Sequence, residues 1–180
     1  IYDSHGAGPL LVAVQEGHYD IVKMLLEYEF FDDVSGEMTT ADANAPRNDG
    51  ITAIFTAAYL GRVRELELLI KAGANPNPPV AHDGSELGER PGMMEDTPLC
   101  GAIAKGHAEV VRQLIAAGAI VNAKPRHSDG LTPFTLARTA GYVEIIQILI
   151  EAGANTQAFG GDASALAPPR ARAPVIPNTP

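Results

Sequence analysis

Apolar residues recur along the chain at the spacing of an α-helix. Two stretches show this most clearly, with apolar pairs one helical turn apart: Ile21, Val22, Leu25 and Leu26, and Ile145, Ile146, Leu149 and Ile150. Each stretch therefore predicts a short helix with one apolar face. A shorter helical pattern and a glycine precede each stretch, which predicts pairs of helices joined by a tight turn.

The same helix pair occurs four times in the sequence. Each copy begins with a triplet similar to Thr-Pro-Leu: Gly8-Pro9-Leu10, Thr52-Ala53-Ile54, Thr97-Pro98-Leu99 and Thr132-Pro133-Phe134. A glycine separates the two helices of each copy: Gly17, Gly61, Gly106 and Gly141. Threonine caps a helix through its hydroxyl oxygen, proline fits the first helical position, and glycine ends a helix in a left-handed turn. These residue types therefore predict where each helix begins and ends.

This order of residues resembles the ankyrin repeat, whose pattern includes T-P-L-H-x-A and a period of 33 residues. The resemblance covers about residues 3–157 and implies an all-α fold, an ankyrin-repeat solenoid of stacked helix-turn-helix units with finger loops. We expect an ankyrin repeat domain over residues 1–157, with repeats at about 3–33, 47–77, 93–124 and 127–157. Residues 158–180 are interpreted as a degenerate repeat remnant and a Pro-rich tail.

The spacing of the repeats departs from the family pattern. Successive copies start 44, 45 and 35 residues apart, and the excess falls in two connections, 29–48 and 76–95. Their placement predicts insertions at equivalent points of the first two repeats. Insertions in solenoids often lie on the binding face, although they can also be tolerated surface loops without a role. The first copy has Glu29 where the others have a closing glycine, which predicts a longer second helix there.

The last repeat needs a cover for its apolar side, because an end repeat has no neighbour to bury it. Phe159 and Leu166 of the tail are candidates for this cover, lying over Ile145 and Ile148.

The chain is acidic, and its charge is uneven. The net charge is −9, and residues 1–50 carry ten acidic and two basic side chains. This excess disfavours nucleic acid, whose phosphates require a basic surface, and favours a basic partner near the N-terminal half. The alternative interpretation of this charge is that the acidic loops only keep the protein in solution. No apolar run approaches the ~18 residues that span a membrane.

The sequence contains none of the common catalytic or metal motifs. It has no phosphate-binding loop, no His-Glu-x-x-His, no cysteine pair and no Gly-x-Ser-x-Gly. We therefore expect no enzyme activity, no metal and no cofactor. The resemblance to the ankyrin repeat implies a structural role for His18 and His107, which follow the mid-repeat glycines. An enzyme with a site in the 76–95 loop, lined by His82, Asp83 and Glu86, is the remaining catalytic alternative. The single cysteine, Cys100, and the lack of a leader favour the cytoplasm, with the nucleus or export without a leader left open.

The resemblance implies a protein–protein interaction module, that is, an adaptor, inhibitor or targeting scaffold. We expect a monomer that binds a partner protein through the concave face and the long loops, with a structural spacer as the alternative. The candidate binding residues form three groups. The apolar centre consists of Ile51, Tyr59, Leu60, Met93 and Met94, and the polar rim consists of Asp49 and Lys105. Part of the fourth finger is formed by Asp129 and Leu131. Alternatively, Leu60 and the two methionines pack beneath the loops.

Overall fold

The computed structural model describes residues 6–32, 37–78, 97–123 and 132–156. These residues form eight α-helices: α1 Pro9–Glu16, α2 Tyr19–Glu27, α3 Ala53–Leu60, α4 Val63–Lys71, α5 Pro98–Ala104, α6 Ala108–Ala116, α7 Pro133–Ala140 and α8 Val143–Glu151. Two short strands, β1 Phe30–Asp32 and β2 Glu37–Thr39, lie between α2 and α3 and pair antiparallel, with Phe30 opposite Thr39.

The predicted capping residues set the helix ends. The hydroxyl oxygens of Thr52, Thr97 and Thr132 accept hydrogen bonds from the backbone N–H three residues later, at 3.4, 3.2 and 3.3 Å. Gly61 and Gly141 end α3 and α7 with φ values of 70° and 76°, in the left-handed region that a Cβ atom disfavours. The helix boundaries therefore follow from local chemistry.

The eight helices form two parallel rows. The first helices of each pair (α1, α3, α5 and α7) pack side by side, and so do the second helices (α2, α4, α6 and α8). We call these the first-helix row and the second-helix row. A continuous core lies between them, with these large side chains fully buried: Val14, Val22, Ile54, Leu66, Leu69, Leu99, Ile103, Leu114, Ile145 and Leu149. This confirms the all-α ankyrin-repeat solenoid, in which the strand pair is an insertion.

An asparagine side chain links each helix pair to the next. Asn77 donates from Nδ2 to the Gly118 carbonyl at 2.9 Å and accepts at Oδ1 from the Ile120 N–H at 2.9 Å. Asn44 makes the same two bonds to Gly73 and Asn75 (3.1 and 2.7 Å), and Asn122 makes them to Gly153 and Asn155 (3.2 and 2.7 Å). The sequence analysis missed this repeated contact, which fixes the register of neighbouring units.

The first insertion is a hairpin that leaves the repeat and returns to it. The Tyr28 N–H donates to Met24 at 3.0 Å, and the chain then turns outward because Tyr28 has a ψ of 130°. It rejoins the repeat at Ala41, whose N–H donates to the Leu25 carbonyl at 3.0 Å. Ala74 makes the equivalent bond in the second repeat, to the Leu69 carbonyl at 2.9 Å. Thr40, rather than Glu29, therefore occupies the position of the closing glycine.

Two expectations about the first repeat are corrected by this geometry. Helix α2 has nine residues, the same length as α4, α6 and α8, so the expected longer helix is wrong. The closing turn of the first helix pair lies at 40–44, beyond the residue 33 at which the sequence places the end of the repeat.

The two long insertions do not occupy equivalent places. The first, residues 29–39, precedes the linking asparagine Asn44. In the second repeat Asn77 already makes the linking contact, and Thr97 caps the next helix. The extra residues there follow the asparagine in the sequence. The expectation of equivalent insertions was wrong because sequence spacing alone does not show on which side of the linking contact residues are added.

The residues of α8 that the sequence analysis expected to need a cover are already buried in the stack. Ile145 and Ile148 are buried, and Val143 and Ile150 are the exposed apolar residues of α8. Ile145 is the counterpart of Val110 in α6, which is also buried in the second-helix row. The proposed covering residues, Phe159 and Leu166, lie outside the described residues.

Candidate functional site

The last turn of α3 carries the centre of the candidate site. Thr52 starts the helix and Gly61 ends it, which places Tyr59 and Leu60 in its final turn on the first-helix row. Leu60 is one of the exposed large apolar side chains, with 41% of its surface accessible. Tyr59 is half-buried. The sequence analysis named both residues, and the structure places them side by side at one helix end.

The Tyr59 ring is held by contacts on several sides. Its centroid lies 6.2 Å from that of Phe55, with the two rings nearly parallel, at an interplanar angle of 15°. Lys105 of the following repeat places Nζ 4.5 Å from the Tyr59 ring centroid, within the range of a cation–π interaction. A Cβ atom built on Gly101 of α5 would lie 3.6 Å from the Phe55 ring and 3.7 Å from the Tyr59 ring. The result is an aromatic surface built by α3 and α5 together.

The backbone of Tyr59 is also tied to the next repeat. Nε2 of His107 lies 3.2 Å from the Tyr59 carbonyl oxygen. The His107 ring also packs over Gly61, where a Cβ atom would come within 2.7 Å of it. His107 therefore has the structural role that the sequence predicts, and it fixes the end of α3 against α6. His18 is exposed and makes no side-chain cap to α2.

Phe55 is a site residue that the sequence analysis did not name. It precedes Tyr59 by four residues, so the two rings share one helix face. This spacing was a usable signal, but Phe55 stands where the T-P-L-H-x-A pattern has histidine, and the sequence analysis did not consider its ring as part of a surface.

The finger before α3 contains the candidates Asp49 and Ile51. The Arg47 N–H donates to the Ile51 carbonyl at 2.8 Å, and the Gly50 N–H donates to the Arg47 carbonyl at 2.8 Å, which closes the loop. The Asp49 carboxylate accepts from Nε of Arg47 at 2.8 Å, and a second, shorter contact joins the same two side chains. Asp49 therefore stabilises this finger, and both candidates are half-buried.

Three of the nine candidate residues come together in the described structure: Tyr59, Leu60 and Lys105. Asp49 and Ile51 lie in the finger that leads into α3. Met93, Met94, Asp129 and Leu131 lie outside the described residues.

The clearest electrostatic perturbation is a surface ion pair on the second-helix row. Nζ of Lys71 lies 2.6 Å from Oε1 of Glu67, one turn earlier on α4. This hydrogen bond lowers the pKa of Glu67 and raises the pKa of Lys71, so both stay charged at neutral pH. The pair is exposed and has the solvated i, i+4 geometry of a helix surface, which is unsuited to proton transfer.

The described part of the chain shows no arrangement for metal chemistry. Within those ranges, no cluster of three or more His, Cys, Asp or Glu side chains could hold a metal ion. Cys100 is buried in the core. Burial of a thiol in apolar surroundings makes it unreactive.

The profile for ankyrin repeats, which describes three consecutive copies, matches residues 1–80 and again residues 83–159. The chain belongs to the ankyrin repeat family. Ankyrin repeats are in general protein–protein interaction modules, and the family is typically non-enzymatic. No curated protein matches the chain.

The ankyrin repeats of this chain also contain no candidate membrane span where they are described. No helix in those segments is long and apolar enough to cross a bilayer. The surface around Tyr59 lies on the first-helix row of the ankyrin stack, the row that contributes to the concave face in this family.

Proposed function

We propose that this ankyrin domain is a protein-binding module, an adaptor, inhibitor or targeting scaffold, that binds a partner protein on its first-helix row. The observation that carries the proposal is the aromatic surface at the end of α3. Tyr59 is oriented by Phe55 and Lys105, and Leu60 beside it is exposed. A side chain held in place before binding loses little conformational entropy when the partner arrives.

The chemistry of this surface suits a protein partner. Tyrosine is enriched among residues that contribute most to binding, and an apolar centre with a polar edge is the common arrangement of an interface. Leu60 provides the apolar contact and Lys105 the charged edge. We include Asp49, Ile51, Met93, Met94, Asp129 and Leu131 as further contributors from the fingers. The overall charge of −9 favours a partner with basic residues.

We also propose that the module acts as a monomer in the cytoplasm. Its one cysteine is buried and so is unavailable for a disulfide between chains. Sedimentation velocity at micromolar concentration should show a single species with the mass of one chain. A concentration-dependent dimer would contradict this.

The binding proposal is tested by cross-linking and capture from a lysate of the native host, with three forms of the domain. The wild type is compared with Leu60→Ser and with Val143→Ser, which removes a similarly exposed apolar residue from α8. Capture of one protein should fall at least tenfold, about 1.4 kcal/mol, with Leu60→Ser and stay unchanged with Val143→Ser. Tyr59→Phe should retain the ring packing and most of the capture, whereas Tyr59→Ala should not.

Melting temperatures of all variants must agree within about 3 °C for the comparison to stand, since exposed substitutions normally change stability by less than about 0.5 kcal/mol. Equal capture by the wild type and Leu60→Ser would place binding away from the end of α3. If the wild type captures no protein, the domain is better explained as a structural spacer.

A further inference from the structure

The acidic charge of the chain is not shared equally by the two rows of helices. The helices of the second-helix row contain seven acidic side chains and four basic ones. In the first-helix row, α1 ends with Glu16, and α3, α5 and α7 contain no aspartate or glutamate. The net charge of −9 therefore describes the molecule as a whole and does not describe the surface around Tyr59.

The charged side chains beside the end of α3 are basic. Lys105, the residue that caps α5, is exposed and places Nζ 4.5 Å from the Tyr59 ring centroid. Arg62 follows Leu60 by two residues, and its guanidinium donates to the Gln15 carbonyl at 3.1 Å. Both cations lie next to the exposed apolar side chain of Leu60 in the sequence or in the stack.

Two other charged groups of this row do not change that balance. In the finger before α3, the Asp49 carboxylate pairs with Arg47, so these two side chains add no net charge. The charged residue of α7, Arg138, stands at the position where Ala58 and Ile103 are buried in the earlier repeats. Its exposure therefore belongs to the end of the stack, and we do not count it as part of the surface around Tyr59.

Three residues at equivalent positions form a line across the first-helix row. Glu16, Leu60 and Lys105 each stand directly before the glycine that separates the two helices of their repeat. The helices α1, α3 and α5 pack side by side, and packed helices lie about 8–10 Å apart. Along this line the surface changes from acidic through apolar to basic. About three residues of extended chain cover the distance from one helix to the next.

The Lys105 ammonium is suited to receive a carboxylate from a partner. An ammonium group has three N–H donors, so its contact with the Tyr59 ring does not use up its capacity for hydrogen bonds. The ring also limits where the ammonium can lie before binding, which reduces the entropy lost when an ion pair forms. A carboxylate that arrives beside an apolar contact on Leu60 is partly removed from water, and this strengthens its attraction to the ammonium.

We propose that the segment of the partner protein that binds at the end of α3 is acidic. An apolar residue of that segment packs on Tyr59 and Leu60, and an aspartate or glutamate about three positions away pairs with Lys105. A basic segment is a poorer occupant, because it would bring like charges beside Lys105 and Arg62. The proposal rests on the proposed function of this surface and narrows it to one class of partner segment. The basic residues that the overall charge favours then belong to other parts of the partner.

Selection from a phage library of random dodecapeptides tests this preference. Each selection is depleted on the same domain carrying Leu60→Ser, so that the retained peptides depend on the end of α3. The wild type is compared with Lys105→Glu and with Lys71→Glu, which makes the same change at an exposed lysine of the second-helix row. The wild type and Lys71→Glu should enrich aspartate and glutamate at least threefold over the unselected library. Lys105→Glu should lose this enrichment.

A double-mutant cycle with one selected peptide then locates the acidic contact. The aspartate or glutamate of the synthetic peptide is changed to its amide, and fluorescence anisotropy gives the affinity of both peptides for the wild type and for Lys105→Gln. The amide peptide should bind the wild type at least threefold more weakly, and the two peptides should bind Lys105→Gln equally. Any loss caused by a freer Tyr59 ring affects both peptides alike, so the cycle removes it.

Circular dichroism melts establish that the variants remain folded. Selection of neutral or basic peptides by the wild type would overturn the acidic preference, and so would an equal loss for the amide peptide with the wild type and with Lys105→Gln. In both cases binding that depends on Leu60 would still stand. Absence of any Leu60-dependent peptide would also overturn the proposal. Failure of the proposed function is a separate result, namely equal capture of the lysate protein by the wild type and Leu60→Ser.

Discussion

The glycines between the paired helices meet two separate requirements at the scale of single residues. Gly61 and Gly141 both adopt a left-handed backbone, with φ values of 70° and 76°. Gly61 also lies under the His107 ring of the next repeat, whereas a Cβ atom on Gly141 would meet nothing within 4 Å. The left-handed turn is a local property that the sequence predicts. The close packing is a contact over 46 residues, and local pattern gives no sign of it.

This difference predicts unequal costs for the same substitution. Gly141→Ala should lower the free energy of unfolding by about 1–2 kcal/mol, the cost of a left-handed backbone with a Cβ atom. Gly61→Ala should lower it by at least about 1 kcal/mol more, because the His107 ring must also move. Urea unfolding of the two variants measures both values.

The double variant Gly61→Ala/His107→Ala provides the control for the steric part. Its loss should be smaller than the sum of the two single losses, since the ring that opposes the new methyl group is gone. Equal losses for Gly61→Ala and Gly141→Ala would mean that the His107 contact contributes no steric cost.

At the scale of elements, neighbouring residues of α8 have different roles. Leu149 is fully buried in the core, and Ile150 beside it is exposed. The helical pattern of the sequence assigns both to one apolar face. Leu149 lies in the core between the two rows. Ile150 is equivalent in position to Ile70 and Ile115, which each lie next to the helix of a following repeat.

Leu149→Ala should therefore lower the free energy of unfolding by about 2–5 kcal/mol, the usual cost of truncating a buried leucine. Ile150→Ala should cost less than about 1 kcal/mol, because this residue is already 41% exposed. Urea unfolding monitored by far-UV circular dichroism gives both values. Similar losses for the two variants would show that the face assigned to α8 is wrong.

The elements themselves were largely predictable from the sequence, and the places where they join were not. The threonine caps and glycine ends act within three or four residues, so their effect can be read locally. The return of the first insertion at Ala41 depends on Asn44 contacting Gly73 and Asn75, 29 and 31 residues away. For the same reason the sequence identified Tyr59, Leu60 and Lys105 as candidates but not the packing of Lys105 on the Tyr59 ring.

At the scale of the whole molecule, the stack is held by one junction made three times. Asn44, Asn77 and Asn122 bridge successive units with the same pair of hydrogen bonds. The first of these junctions forms although a hairpin separates it from its helix. Residues 29–39 therefore form an addition outside the repeating unit, and their removal should leave the stack in register.

Deletion of residues 29–39 together with Thr40→Gly should change the melting temperature by less than about 4 °C, equivalent to about 1 kcal/mol. The glycine is needed because Thr40 then takes the place of Gly73, which has a φ of 83°. The same deletion with Thr40 retained should be less stable by about 1–2 kcal/mol. Loss of cooperative melting in the deletion with glycine would show that the hairpin is part of the core unit.

Because of the asparagine junction, neighbouring units stack in the same way whatever the number of residues between them in the sequence. Units that start 44, 45 and 35 residues apart in sequence are joined by bonds that all lie between 2.7 and 3.2 Å. Residues can therefore be added before or after an asparagine without disturbing the stack, as happens in the first and second repeats. Foreign segments grafted at these two points should likewise leave the array unchanged.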